Sequence, residues 1–208
     1  MNIIMKRFLC GLVLILPIFA LGQITENFDS NSWGWTEYSG TKGDAVIMNG
    51  VLHLESRNDK INNVQDIIGG IFSMAYAPID PQKGFKLTCE AIINKIDYDK
   101  RFGIVLDYKD DWNCIILLIT RDNAYFYRIR EGRVVNLIHR QFKLGKQKKD
   151  SIDNSLKYID NTLELRVNDI NAYSTALRNI SIDTNGIGFF AYGYVNVDFD
   201  NVTVSDAY

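Results

Sequence analysis

Four short turns constrain the fold of this chain more than any other feature of its sequence. Each turn is a dipeptide between two runs rich in β-branched and aromatic residues: Asn49-Gly50, Glu131-Gly132, Asp160-Asn161 and Asn168-Asp169. Two-residue hairpin turns need positive φ angles, which Gly, Asn and Asp tolerate best. Each dipeptide therefore predicts an antiparallel hairpin. Because no stretch shows a sustained helical period, the sequence predicts an all-β fold.

The strand-like runs number roughly a dozen, which is typical of an antiparallel two-sheet sandwich or a barrel. One run, residues 114–119 (CIILLI), is apolar at both odd and even positions. Side chains of a strand alternate between its two faces, so this run predicts a central strand that is covered on both faces or lines a partly filled concave face.

The last run predicts a β-bulge. Its apolar residues keep one parity up to Phe199 and take the other parity from Val202 onwards. One extra residue near Asp200-Asn201 would return the second group to the core face, and such an insertion defines a bulge.

The first 22 residues have the three parts of a secretory signal: a basic start, an apolar run and small residues before the cleavage site. Ala20 and Gly22 are those small residues, and cleavage is expected before Gln23. A membrane anchor is the alternative, although the apolar run is shorter than the about 20 residues that span a bilayer. We expect residues 23–208 to form a single secreted or periplasmic domain without a membrane span.

Composition and motifs exclude several classes of function. The chain has 23 Lys and Arg against 25 Asp and Glu, a formal net charge of -2. A nucleic-acid partner is not expected, because nucleic-acid binders usually carry a basic surface. The sequence has no zinc-type spacing of His and Cys, no nucleophile elbow and no Gly-rich phosphate-binding motif.

Two cysteines, Cys89 and Cys114, remain after removal of the predicted signal. Both lie in apolar strand-like runs. If the two strands are neighbours, an oxidising compartment would allow a disulfide between them. The other interpretation is two buried free thiols, which pack as small hydrophobic side chains.

The order of the sequence motifs resembles the concanavalin A-like lectin/glucanase superfamily, in its laminin-G-like and carbohydrate-binding-module branch. The motifs are ENFDSNSWGW (26–35), MNGVL (48–52), FKLTCEAII (85–93), FGIVLDYKDDWNCIILLI (102–119), AYFYRIREG (124–132), NTLELRVNDINAY (161–173), NGIGFFAYG (185–193) and VDFDNVTV (197–204). The resemblance implies a jelly-roll sandwich of two curved sheets. It also implies that sugars bind on the concave face or at its rim loops, and that a structural calcium ion sits at the rim in many members.

The resemblance covers enzymes and non-catalytic modules alike. The glucanase branch carries its catalytic acids on one strand as a Glu-x-Asp-x-x-Glu run, which this sequence lacks. We therefore expect a non-catalytic module that binds a polysaccharide or oligosaccharide. Two alternatives stay open: a protein–protein interaction module, such as an inhibitor or adaptor, and a glycoside hydrolase with an atypical site.

Sugar recognition needs an aromatic surface for the C–H face of a sugar and polar groups for its hydroxyls. Tyr108 and Trp112 flank a polar turn, and Tyr127 and Arg128 follow in the next hairpin. These four are the predicted ligand-binding residues. The alternative role of each aromatic is core packing or cross-strand pairing.

A structural calcium ion would find its acidic ligands near the two ends of the domain. Glu26 and Asp200 are the predicted pair, because the first and last strands of this fold often pair. Calcium prefers about six to eight oxygen ligands, and two acids supply few of them. The alternative is that Asp200 only fixes the predicted bulge.

Overall fold

The computed structural model describes residues 22–57, 64–96, 101–120, 122–142, 151–177 and 180–207. The predicted secretory signal lies outside these residues, apart from Gly22. No helix within the described ranges is long and apolar enough to cross a bilayer.

The described chain is built almost entirely from strands. Their bounds are β1 (Ile24–Glu26), β2 (Tyr38–Gly40), β3 (Gly43–Met48), β4 (Val51–Arg57), β5 (Ile71–Tyr76), β6 (Phe85–Ile96), β7 (Arg101–Asp110), β8 (Asn113–Ile119), β9 (Asn123–Arg130), β10 (Arg133–Gln141), β11 (Ser151–Ile159), β12 (Thr162–Val167), β13 (Ile170–Ala176), β14 (Gly186–Tyr192) and β15 (Tyr194–Asp206). Two short 3₁₀ helices, Val64–Gly69 and Pro81–Lys83, flank β5.

The strands form two antiparallel sheets, which confirms the predicted all-β sandwich. The nine-stranded sheet has the order β13-β12-β11-β6-β15-β4-β3-β2, with β1 paired to β15. The six-stranded sheet has the order β10-β9-β8-β7-β14-β5. The fifteen strands of the described ranges exceed the predicted dozen partly because β1 and β2 have three residues each, too few to show an alternating pattern.

The four turn dipeptides adopt the predicted conformation. Their eight residues have φ angles between 47° and 76°. Met48 pairs with Val51 and Ile159 with Thr162, so each of these hairpins closes directly around its dipeptide. The sequence signal is reliable here because the sign of φ is a local property of two residues.

Aromatic stacking joins the two sheets across the core. Phe189 of β14 stacks on Phe199 of β15 with ring centroids 4.1 Å apart, and Trp35 stacks on the same Phe189 at 5.3 Å. All three side chains are buried. Removal of such rings from water contributes roughly 1.5–3 kcal/mol per side chain.

Two predictions about single strands are confirmed. Residues 114–119 of β8 are buried on both faces of a central strand. The pairing of β15 with β6 shifts register between Asp200 and Thr203, and Asn201 has a φ of 51°. This is the expected bulge, and it returns Val202 to the core.

The structure decides between the two interpretations of the cysteines. Cys89 and Cys114 are free and buried. Cys89 lies in the core between the sheets, whereas Cys114 lies on the outer face of the six-stranded sheet. Burial raises the pKa of each thiol to about 12. They are packing residues, and no disulfide joins them, because Cys89 faces the core between the sheets and Cys114 faces away from it.

Candidate functional site

The outer face of the six-stranded sheet is apolar and covered at its centre. Val105, Ile116, Leu118 and Phe190 project from three neighbouring strands, β7, β8 and β14, and are fully buried. The 3₁₀ helix Val64–Gly69 packs its Ile67 side chain into the same cluster. This sheet therefore has a core on each side, and functional side chains are to be sought at the two ends of its outer face.

Three aromatic residues, which we call the aromatic rim, lie at one end of the six-stranded sheet: Tyr76, Tyr108 and Trp112. Tyr76 is 64% exposed and Trp112 is 55% exposed, while Tyr108 is half-buried against the apolar cluster. β14 lies between β5 and β7, and its Gly186 packs directly against Tyr108. A Cβ atom at position 186 would lie only 2.5 Å from the Tyr108 carbonyl oxygen, so a larger side chain does not fit there. Exposed aromatic side chains that are grouped, rather than scattered singly, are frequent at binding surfaces.

A bulge in β7 turns Tyr108 towards the outer face. Register with β8 shifts between Leu106 and Asp110, and Asp107 adopts a φ of 48°. The buried Oδ1 of Asp107 accepts hydrogen bonds from the backbone N–H groups of Asp183 (2.9 Å) and Thr184 (3.0 Å). Without this irregularity in β7, strict alternation would place Tyr108 on the same side as Leu106, inside the sandwich.

The turn that carries Trp112 is held by hydrogen bonds. Asp110 Oδ1 accepts from the backbone N–H of Trp112 at 2.8 Å and from the side-chain amide of Asn113 at 2.9 Å. Asn113 in turn accepts from the backbone N–H of Glu131 in the next hairpin, at 3.1 Å. The indole ring packs over Gly132, where a Cβ would lie 2.7 Å from Trp112 Cε3. The exposed indole is therefore positioned before any ligand arrives.

Tyr108 and Asp111 add polar groups to the aromatic rim. The Tyr108 hydroxyl donates to Asp111 Oδ1 at 2.8 Å. Burial, followed by this hydrogen bond, raises the pKa of Tyr108 to about 12, so the hydroxyl stays protonated at neutral pH. Asp111 itself is exposed, and its carboxylate lies next to Trp112 in the chain. An aromatic surface and a hydrogen-bond acceptor thus occur together.

A second aromatic group lies at the opposite end of the same face. The Arg101 guanidinium lies 4.9 Å from the centroid of the Tyr125 ring and donates to the Tyr127 hydroxyl at 3.3 Å. The Tyr125 ring also stacks on exposed His139, at 4.8 Å between centroids. Arg101 Nε and the Tyr192 hydroxyl are buried and have no hydrogen-bond partner within the described chain.

The structure brings together two of the four predicted ligand-binding residues. Tyr108 and Trp112 share the aromatic rim, whereas Tyr127 is buried near Arg101. Arg128 follows Tyr127 in β9 and so projects from the opposite face of the sheet. The four side chains therefore do not form one site. Sequence reasoning missed Tyr76, whose only local signal is its alternation with Phe72 and Met74.

The predicted calcium ligands have other partners. Glu26 is 1% exposed, and its carboxylate accepts from Phe28 N (3.1 Å), Ser32 Oγ (2.7 Å) and Trp33 N (3.1 Å). Asp200 accepts from the backbone N–H of Asn201 at 2.6 Å, inside the bulge. In the described ranges, no group of three or more His, Cys, Asp or Glu side chains is arranged to hold a metal ion. The calcium site stays a prediction, and the observed role of Glu26 is to order the loop that carries Trp33.

Comparison with known proteins identifies the fold. No protein-family model matches the chain, and no curated protein matches it. Among solved structures, the carbohydrate-binding module CBM66 from Bacillus subtilis matches with a TM-score of 0.57 and 15% identity, covering 83% of this chain and 96% of the module. The chain has the concanavalin A-like jelly-roll fold.

Two further structures show how varied proteins with this jelly roll are. A Bacillus subtilis protein of unknown function with a galectin-like fold matches with a TM-score of 0.59 and 10% identity, covering 88% of this chain and 94% of that one. The catalytic domain of an endo-1,3-beta-glucanase (laminarinase) from Thermotoga petrophila matches with a TM-score of 0.59 and 12% identity, covering 88% of this chain and 96% of that domain. At these identities the likeness concerns the jelly roll alone, and function has to be argued from the site.

Proposed function

We propose that the protein is a secreted, non-catalytic, lectin-like module that binds a polysaccharide or oligosaccharide at its aromatic rim. The observation that carries the proposal is the exposed, pre-positioned indole of Trp112, at the same end of the six-stranded sheet as Tyr76 and Tyr108, with Asp111 as an acceptor. Sugar rings present a C–H face that packs on aromatic rings, and their hydroxyls donate to carboxylates.

The chemistry of the site favours binding over hydrolysis. Glycoside hydrolysis requires two carboxyl groups on opposite sides of the scissile bond, one of them able to donate a proton. At the rim, both oxygens of Asp110 bind the amide of Asn113, and Asp111 accepts from Tyr108. The centre of the same face carries apolar side chains such as Ile116 and Leu118. Likeness to a carbohydrate-binding module agrees with a binding role.

Affinity electrophoresis against a panel of neutral and acidic polysaccharides, followed by calorimetry on the best binder, tests this proposal. We expect Trp112→Ala to weaken binding about tenfold or more, because it removes the largest exposed ring of the site. The matched control is Tyr38→Ala. Tyr38 is a 46% exposed aromatic on the nine-stranded sheet, and its removal should leave affinity unchanged.

Two results would contradict the proposal. One is the absence of binding to every polysaccharide in the panel. The other is equal affinity of the wild type and the Trp112→Ala variant. If a pull-down instead recovered one stoichiometric protein partner whose capture required Trp112, the rim would serve protein–protein interaction, the alternative function that the sequence leaves open.

A further inference from the structure

The outer face of the nine-stranded sheet contains a polar groove of about 640 Å³, which we call the trough. Strand register orders the outward-facing side chains of β11, β6 and β15 into rows, from which Asp153, Glu90, Ser155, Thr88, Thr203 and Lys86 line the trough. An acidic row comprises Asp153, Glu90 and Asp200; a hydroxyl row comprises Ser155, Thr88 and Thr203; and a basic row comprises Lys157 and Lys86, followed by Ser205. Arg166 of β12 pairs with Ser155 at the end of the hydroxyl row.

The small side chains of the hydroxyl row make the floor of the trough. Ser155, Thr88 and Thr203 alternate with buried neighbours in their strands and so point outwards. The longer acidic and basic side chains stand on either side of them. The trough continues past Lys86 and Lys157 into an adjoining space of about 300 Å³.

The two charged rows do not neutralise each other. Lys86 and Lys157 form no ion pair with any residue in the described ranges, and Asp153 is exposed. Arg166 pairs with Glu164 at 2.7 Å, within its own strand. In the acidic row, Glu90 lies directly opposite Asp153 on one side and Asp200 on the other. Like charges placed directly opposite each other destabilise a sheet, so this arrangement has a cost in stability.

We propose that the trough binds a short zwitterionic peptide of about three residues, with its α-ammonium group at the acidic row and its α-carboxylate at the basic row. Glu90 and Lys86 are four residues apart in β6, which corresponds to roughly 13 Å along a strand. An extended tripeptide spans about 10 Å, and the reach of the lysine side chains covers the remainder. The hydroxyl row supplies partners for the peptide backbone.

The proposal is independent of the aromatic rim. The trough lies on the other sheet, its lining has no aromatic side chain within the described chain, and its polar groups suit charged ends better than the C–H face of a sugar. Sugar binding at the rim and peptide binding in the trough can therefore fail or succeed separately.

Titration of the ¹⁵N-labelled protein with Ala-Ala-Ala at low ionic strength, followed by NMR, tests the proposal. We expect chemical-shift changes at the amides of Thr88, Ser155 and Thr203. The same tripeptide acetylated at its amino end, or amidated at its carboxyl end, should bind about tenfold more weakly, because each cap removes one charged contact. Maltotriose serves as a neutral probe of similar length.

Charge variants add a second readout. Lys86→Gln should weaken tripeptide binding about tenfold, whereas Lys42→Gln, an exposed lysine outside the trough, should not. Glu90→Gln should weaken binding while raising the melting temperature, because it relieves the repulsion between three neighbouring carboxylates. A melting temperature that rises shows that a loss of binding is not a loss of fold.

The proposal is overturned if Ala-Ala-Ala causes no shifts at these three amides, or if the capped tripeptides bind as well as the free one. It is equally overturned if maltotriose shifts the same amides and the tripeptide does not. Trp112→Ala should leave the tripeptide titration unchanged, and a change there would mean that the two sites are not distinct.

Discussion

His53 and Asp198 form a partly buried pair on the outer face of the nine-stranded sheet. His53 Nδ1 lies 2.6 Å from Asp198 Oδ1, and Asn94 donates to the other carboxylate oxygen at 2.7 Å. The hydrogen bond with Asp198 raises the pKa of His53. Burial acts to raise the pKa of Asp198, but hydrogen bonds from His53 and Asn94 outweigh it and lower this pKa.

These opposite shifts predict a window of pH in which the pair stabilises the fold. The His53 contribution is complete below its unfolded pKa of about 6.5 and is lost as pH rises through the raised folded value. The Asp198 contribution is complete above its unfolded pKa of about 3.9 and is lost as pH falls through the lowered folded value. Asp198→Asn should therefore lower the free energy of unfolding by about 1 kcal/mol between roughly pH 4 and 6.5, and by less above and below that range.

Urea unfolding of the wild type and Asp198→Asn, measured from pH 4 to 9, checks this window. Asp122→Asn is the matched control, because Asp122 is exposed and lies in the turn between β8 and β9, on the other sheet. A constant difference between wild type and Asp198→Asn across the whole range would show that the ion pair is not the cause.

Individual residues also show which structural features the sequence could predict and which it could not. The turn at Asn49-Gly50 was predictable because the requirement for positive φ is local. In contrast, the sequence did not predict which of Tyr127 and Arg128 faces the core between the two sheets. Alternation separates the two, but both faces of β9 are packed with apolar neighbours, and local sequence does not tell one core from the other.

At the scale of the strand, the bulge at Asp107 is the element on which the aromatic rim depends. Asp107→Ala would leave the backbone N–H groups of Asp183 and Thr184 without their acceptor and place alanine at a φ of 48°. We expect a loss of about 1–3 kcal/mol in the free energy of unfolding. We also expect weaker polysaccharide binding, because Tyr108 would lose its orientation while Trp112 is kept.

Asp107→Asn is the control for this element. Asparagine tolerates positive φ, and its amide oxygen still accepts both hydrogen bonds. Unfolding and polysaccharide affinity are measured on both variants. Equal losses in the alanine and asparagine variants would show that the negative charge of Asp107, rather than the bulge, carries the effect.

Strand order explains why the sequence revealed only part of the candidate site. Tyr108 and Trp112 are neighbours in sequence, at the end of β7 and in the turn after it, so their proximity follows from the chain itself. Tyr76 joins them only because β5 pairs with β14 and β14 with β7. That order depends on contacts between strands far apart in sequence, which local patterns do not encode.

At the scale of the whole molecule, the stacked rings of Phe189 and Phe199 connect the two sheets. Phe189→Ala should cost about 3–5 kcal/mol in the free energy of unfolding, because it leaves a cavity that also borders Trp35. Phe72→Ala, on the outer face of the six-stranded sheet, removes a ring of the same size that is only partly buried. Phe72→Ala should therefore lower the free energy of unfolding clearly less than Phe189→Ala does. Urea denaturation of both variants measures the two losses.

The location of the aromatic rim has a consequence for substitutions at its exposed positions. Trp112 lies at the tip of one hairpin, Gly132 at the tip of the next and Tyr76 at the end of an edge strand, whereas the stacked rings that hold the sheets together lie between them. Under the proposed function, the exposed rings that would contact a ligand thus lie apart from the stacked rings that hold the sheets together. We therefore expect substitutions of Tyr76 and Trp112 to alter the proposed binding while they change the free energy of unfolding little, because both side chains are largely exposed.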